Sequence, residues 1–292
     1  MLEELPQLLV NGIVTSTIIA VPAIGFTAIY AVLRFPNFAV ASHMTIGAYA
    51  GFVANAWYGV PAALALAFAF LLPAAFGVAT DGLALKPLRQ AGALTAAIAS
   101  VALTVALENL VRLCFGNDLR GYDLAVHRDW QFDLGFAFLR IGPQQLWNAG
   151  IAIAVMAALF LFLGFTRTGK TMRAVADNPV LAGIKGINAD RVAWLANGVG
   201  MGLAGIGGML IGLDTSIDPL TGFRAILSVF AAAVVGGLGS IPGAVLGALV
   251  VGVGEELSLL ALDASYRTAV GFLVIVLVLT IRPRGILGER AF

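Results

Sequence analysis

Nine stretches of mostly apolar residues, each near the length of a membrane helix, succeed one another along this chain of 292 residues: roughly 8–32, 37–57, 61–80, 92–113, 144–165, 192–213, 225–241, 243–262 and 266–281. A helix needs about 20 such residues to cross the hydrocarbon core of a bilayer. The runs are continuously apolar and rich in Ala, Leu, Val and Gly, whereas the strands of outer-membrane barrels alternate over about ten residues. They predict an all-α fold, a polytopic transmembrane helical bundle of about eight to ten spans in which residues 1–292 form a single domain. Only 11% of the residues are charged, against about 25% in soluble domains, too few to cover a water-facing surface. That excludes an ordinary cytosolic enzyme, a disordered chain and a disulfide scaffold. Cys114, the single cysteine, has no internal partner and reads as a small buried apolar side chain. A net charge of +1 leaves no basic footprint for nucleic acid.

The basic residues give the direction of the spans. If 166–191 faces the cytoplasm, alternation places Arg34, Lys86, Arg89, Arg282, Arg284 and Arg290 on the same side. With Arg167, Lys170, Arg173, Lys185 and Arg191 that gathers eleven of the seventeen Lys and Arg. The opposite side holds Glu3, Glu4, the 114–143 segment with Asp118, Asp123, Asp129 and Asp133, and also Asp214, Asp218 and Asp263. The N-terminus is then outside and the C-terminus inside. The weakest span is 225–241, because VVGGLGSIPG at 234–243 could make a re-entrant turn. The first run follows an acidic start, MLEELPQ, and is too long for a signal-peptide core, so it is read as a span.

Inside the spans, small and polar residues carry the information. Gly198/Gly202, Gly208/Gly212 and Gly243/Gly247 are small-xxx-small pairs, which let helix backbones approach closely. They predict tight packing within the chain ahead of a dimer seam. Ionisable residues at membrane depth are costly and point to function. Glu108 and Arg112 stand four apart, the order that favours an ion pair. Glu255 and Glu256 are adjacent and face about 100° apart, so only one of them is expected to reach a polar crevice or the interface. The second span opens on Arg34-Phe35-Pro36-Asn37-Phe38 and continues through Ser42, His43 and Thr45. Pro36 lacks a backbone donor and resists helix at Phe35. Such a broken, polar helix start is how a transport pathway is built, which makes Asn37, Phe38, Ser42 and Thr45 the candidate pathway residues. Interhelical hydrogen-bond glue is the alternative role for the polar ones. His43 and His127 lie far apart in sequence and make a poor metal site, and no cofactor is implied.

The loop TRTGKTMRAVADNPVLAGIKGINADR (166–191) is the most informative stretch outside the spans. GFTRTGKT at 164–171 satisfies the phosphate-loop pattern, but that loop requires a preceding strand and a surrounding α/β domain. Here an apolar helix precedes it, so the match is rejected and Gly169 reads as a helix end. Thr171–Asp177 is expected to be a short helix limited by Pro179. A second begins at Asn178-Pro179, carries Val180, Leu181 and Ile184, and stops at Gly186. This amphipathic pair suits either a partner's groove or the lipid headgroups.

RAVADNPVLAGIKGIN (173–188), FAAAVVGGLGSIPGAVLGALVVGVGEEL (230–257) and IRPRGILGER (281–290) resemble the permeases of branched-chain amino-acid type ABC importers, the LivH kind. NFAVASHMTIGAYAGF (37–52) and ENLVRLCFGND (108–118) match more loosely. The resemblance implies a non-catalytic, multi-pass subunit in the cell membrane of a prokaryote that moves a small polar solute. It implies as partners two ABC ATPase subunits, a second, non-identical permease of the same family and an extracytoplasmic solute-binding protein. Arg173, Asn178, Pro179 and Gly183 would lie in the loop that couples ATPase closure to the channel. The family commonly reads Asn-Phe-Ala-His-Gly-Glu where this chain has Asn37-Phe38-Ala39-Val40-Ala41-Ser42. The missing carboxylate removes an obvious partner for an ammonium group, so a related amino acid, amide or carboxylate is expected alongside branched-chain amino acids. An ion-gradient-driven transporter or channel using Glu108, Glu255 or Glu256 is the competing reading.

Overall fold

The computed structural model describes residues 4–124, 128–133, 138–263 and 266–288; Glu3, His127 and Arg290 lie outside them. Each apolar run contains one helix. In order these are α1 (Leu5–Leu33), α2 (Val40–Phe52, prolonged by a π-turn at Val53–Trp57), α3 (Ala62–Thr80, continued by a π-turn at Asp81–Leu85 into α4, Lys86–Arg89) and α5 (Ala93–Phe115). After a two-stranded hairpin, β1 (Trp130–Asp133) and β2 (Phe138–Ile141), come α6 (Pro143–Phe165), α7 (Arg167–Asp177), α8 (Pro179–Ile184) and α9 (Ala189–Asp214). The chain ends with α10 (Thr221–Gly236), α11 (Ile241–Leu257) and α12 (Arg267–Ile281). Among the described residues six helical stretches are long and apolar enough to cross a bilayer, and α10 and α12 are shorter apolar helices. The protein is an essentially all-α, multi-pass membrane bundle.

At the centre stands α9, packed on α1, α2 and α3; α11 lies along α1 and α10, and α12 rests on α10 and α11. Small residues make this possible. A Cβ at Gly208 would collide with the Met44 carbonyl of α2, and one at Gly205 with the Ala69 carbonyl of α3. Gly198 and Gly202 face Val78 and Phe70, while Gly243 and Gly247 face the α10 carbonyls of Gly236 and Ala232. The small-xxx-small pairs thus serve packing inside the chain.

The sidedness read from charge agrees with the contacts. Lys86 Nζ pairs with Asp190 at 2.9 Å, the Arg34 guanidinium donates to the Ala176 carbonyl, and Ile286 N–H bonds Val235 O at 2.8 Å. These gather 34, 86–89, 166–191, the α10–α11 turn and the tail at one end. At the other, Arg120 and Ile217 exchange backbone bonds of 2.9 and 2.8 Å. Helix α10 begins a few residues after Ile217 and ends at the turn on which the tail packs, and its 16 residues span only about 24 Å.

Two local expectations are corrected. The hairpin was not legible in the 114–143 segment; its strands pair Trp130 with Ile141, and Gln7 ties it to α1 through the N–H and carbonyl of Arg140 (2.7 and 2.9 Å). Gly169 does not end a helix. It lies in the first turn of α7, capped by Thr166 Oγ1 at 2.9 Å, and packs so closely on the α6 backbone at Phe162 and Leu163 that a side chain would not fit.

Candidate functional site

The interruption between α1 and α2 is a non-helical stretch bonded by side chains of neighbouring helices. Arg34 closes α1 in the left-handed region (φ 58°), the one described non-glycine residue with positive φ, and its N–H bonds Tyr30 O at 2.9 Å. Non-helical backbone at membrane depth persists only where other groups satisfy it. Here α5 supplies them: Ser100 Oγ accepts the Phe38 N–H at 2.9 Å, and Thr104 Oγ1 donates to Phe38 O at 3.0 Å. Asn37 Oδ1 accepts Ala39 N–H at 3.1 Å just ahead of α2. Its amide reaches Asn197 Oδ1 of α9 at 3.5 Å, and Asn197 in turn donates to Gly77 O of α3 at 2.6 Å. One short break therefore joins α3, α5 and α9.

Asn37, Ser42 and Thr45 are each buried to 1% exposure or less. Ser42 Oγ donates to Ala39 O at 2.9 Å, and Thr45 Oγ1 accepts the Gly222 N–H that opens α10 at 3.0 Å. Phe38 is half-buried, in an aromatic cluster with Phe230 (ring centroids 5.5 Å) and Phe26 (6.4 Å). Sequence reading missed Ser100, Thr104 and Asn197. The first two had a signal: Ser100, Thr104, Glu108 and Arg112 recur every fourth residue on an otherwise apolar helix, one face by helical geometry.

Below the break hangs the loop. Asn178 Oδ1 caps α8 by accepting Leu181 N–H at 2.9 Å, Pro179 fills its first turn, and Gly186 follows at φ 83°. Asn178, Pro179 and Gly183 are exposed, as are Val180 at 72% and Ile184 at 76%. Arg173 lies one turn before the end of α7, also exposed. The Arg34 guanidinium grips Ala176 O just ahead of α8, so the loop and the break are in direct contact.

The remaining ionisable groups differ from expectation in three places. Glu108 and Arg112 make no ion pair; Glu108 Oε1 and Arg112 Nε are buried without hydrogen-bond partners. Glu255 and Glu256 are both buried and meet the same residue: Arg267 Nη2 is 2.5 Å from Glu256 Oε1 and Arg267 Nε is 3.7 Å from Glu255 Oε2. The guanidinium fork is wide enough to take carboxylates from two directions, and Ser228 Oγ donates to Glu255 at 2.6 Å. Cys114 is exposed and borders an apolar groove between α3 and α5; in a bilayer a thiol loses nothing by facing outward. Outside the spans, Tyr122 donates to Ala48 O at 2.6 Å, and burial pushes its phenol up, which keeps it a donor.

The loop thus touches a break whose backbone groups are satisfied, and the family comparison says what kind of protein carries this arrangement. The model of the family described as branched-chain amino acid transport system / permease component matches residues 8–280. The chain belongs to that family. The permease is 33% identical to the high-affinity branched-chain amino acid transport system permease protein LivH of Escherichia coli K12, over 97% of this chain and 95% of the relative. It is equally similar, with the same coverage, to BraD of Pseudomonas aeruginosa PAO1. The structure of PsaBC from Streptococcus pneumoniae in complex with Fab superimposes with a TM-score of 0.52 at 14% identity, over 97% of each chain; that likeness shows the fold alone. The family is one of transport permeases, not of enzymes.

Proposed function

We propose that the permease is the gate of an ABC importer, opened and closed by ATPase subunits that seat on α8 and the end of α7. The observation that carries this reading is the bond from Arg34 to Ala176 O. It ties the element that would be pushed to the break that would yield. Val180, Leu181 and Ile184 present an apolar tip to the cytoplasm, the face an amphipathic helix offers to a groove. Arg173, Asn178, Pro179 and Gly183 hold and orient that tip. A second permease of the family and an external binding protein complete the assembly, and the solute is a branched-chain amino acid or a related amino acid, amide or carboxylate. Phe38 is the residue of the break that meets the solute, with Asn37, Ser42 and Thr45 fixing its position from behind.

The test is reconstitution with ATPases and binding protein in proteoliposomes. Arg34→Ala is expected to keep ATP hydrolysis stimulated by the liganded binding protein while uptake falls by roughly tenfold or more, with partial recovery in Arg34→Lys. Uptake and hydrolysis falling in proportion, or neither falling, would remove Arg34 from the coupling path. Screening ligands on the cognate binding protein identifies the solute; exclusive binding of Leu, Ile and Val would restrict it to branched-chain amino acids.

A further inference from the structure

Beside α7, at the same end of the bundle as the loop, lies a cavity of about 680 Å³ to which the transport reading assigns no ligand, although Arg173 and Ala176 border it. Its back wall is the inner end of α1 at Val32, one side is α6 at Phe160 and Leu163, and the other is the start of α11 at Ser240. Lys170 and Arg173 stand at its floor with Asp177. They are three residues apart on α7 and so share a face. Both are exposed, and among the described residues neither side chain has a hydrogen bond or ion pair. The 17-residue α11 adds the positive end of its dipole, since Ser240 is its N-cap.

We propose that this cavity binds the phosphate headgroup of an anionic phospholipid. Its chemistry is ordered along the membrane normal. The α1 and α6 walls are apolar and belong to the spans, while the cations sit at the cytoplasmic headgroup level. A free phosphate would have no use for the apolar walls, whereas an acyl chain lies along them. The net charge at the floor is positive, two cations against Asp177, which selects an anionic over a zwitterionic headgroup. Because Lys170 and Arg173 precede Ala176 and α8 on one helix, a bound lipid would brace the loop from its membrane side.

The full chain, alone and in its assembled transporter, is placed in nanodiscs of phosphatidylcholine with and without phosphatidylglycerol, and retained lipid is read by native mass spectrometry. Phosphatidylglycerol should be retained roughly tenfold over phosphatidylcholine, as expected for two cations at the membrane surface. Lys170→Gln should reduce the preference several-fold, and Ala31→Trp, which fills the cavity from α1 without altering charge, should abolish it. Lys185→Gln, on the same membrane face but outside the cavity, should leave it unchanged. Equal retention of the two lipids, or retention indifferent to Lys170→Gln, would overturn the proposal. So would displacement by excess inorganic phosphate, which marks a soluble-anion site, or loss of the lipid on assembly, which marks a protein interface. Because the readout is lipid mass, it is independent of the solute carried and of whether α8 couples to an ATPase.

Discussion

Two neighbouring helices, α9 and α3, are equally at home in hydrocarbon and opposite in use. Of the 26 residues of α9, 18 are buried within the protein, and they include seven glycines. Of the 19 in α3 only four are buried: Ala65, Ala69, Pro73 and Gly77, every fourth residue, along the line that meets α9. Leu64, Phe68, Leu71, Leu72 and Phe76 all face outward. In water these large side chains would be the core. In a bilayer lipid is as apolar as leucine, so burial is decided by how closely backbones can approach rather than by hydrophobicity.

Substitutions that exchange the two kinds of position would break this contrast if it is wrong. Gly208→Leu should cost most, because its side chain must enter the space of the Met44 carbonyl and neither backbone can yield; we expect no monodisperse protein by fluorescence-detected gel filtration. Arg267→Gln comes next. It strips the cation from buried Glu255 and Glu256, and with its own side chain 33% exposed the loss should be on the order of 2–3 kcal/mol, below that of a fully buried pair. A lowered thermal-aggregation midpoint in detergent checks it, and restoration by Glu256→Gln would show the cause to be charge. Asn197→Ala leaves the Asn37 amide without its partner, while Gly77 O keeps the Thr80 hydroxyl and the Asp81 N–H, and should cost about 1–3 kcal/mol by the same assay. Leu72→Ala on the outer face of α3 should change stability by less than about 0.5 kcal/mol. A large loss there would mean that another protein covers this face, and the distinction between the two helices would need redrawing.

Much of the architecture was legible because hydropathy reports spans directly. All nine runs became helices, and the basic residues gave the sidedness that Lys86–Asp190 and Arg34–Ala176 display. Which face of each helix turns inward was less legible, since the chain is apolar on both. Cys114 shows the consequence: a rule for cores in water placed it inside, and it faces out. The candidate site divided similarly. Asn37 and Phe38 stood out because Pro36 advertised a break, and the Asn178-Pro179 cap announced α8. Ser100, Thr104 and Asn197 are polar residues inside ordinary helices, and what they bind is remote in sequence. Their role needed the fold. Likewise, adjacency suggested that Glu255 and Glu256 part company, until Arg267 arrived from another helix to meet both.

The interruption ahead of α2 is held by two hydroxyls of α5, one on the backbone N–H and the other on the carbonyl of Phe38. None of Val40, Ala41 or Ser42 contributes to that grip. Because only backbone atoms of Phe38 are held, its side chain can be rewritten without reopening the question of how an unwound peptide survives in oil. With Phe38 meeting the solute as proposed, a transporter of this design could change its diet by one side chain while keeping its hinge.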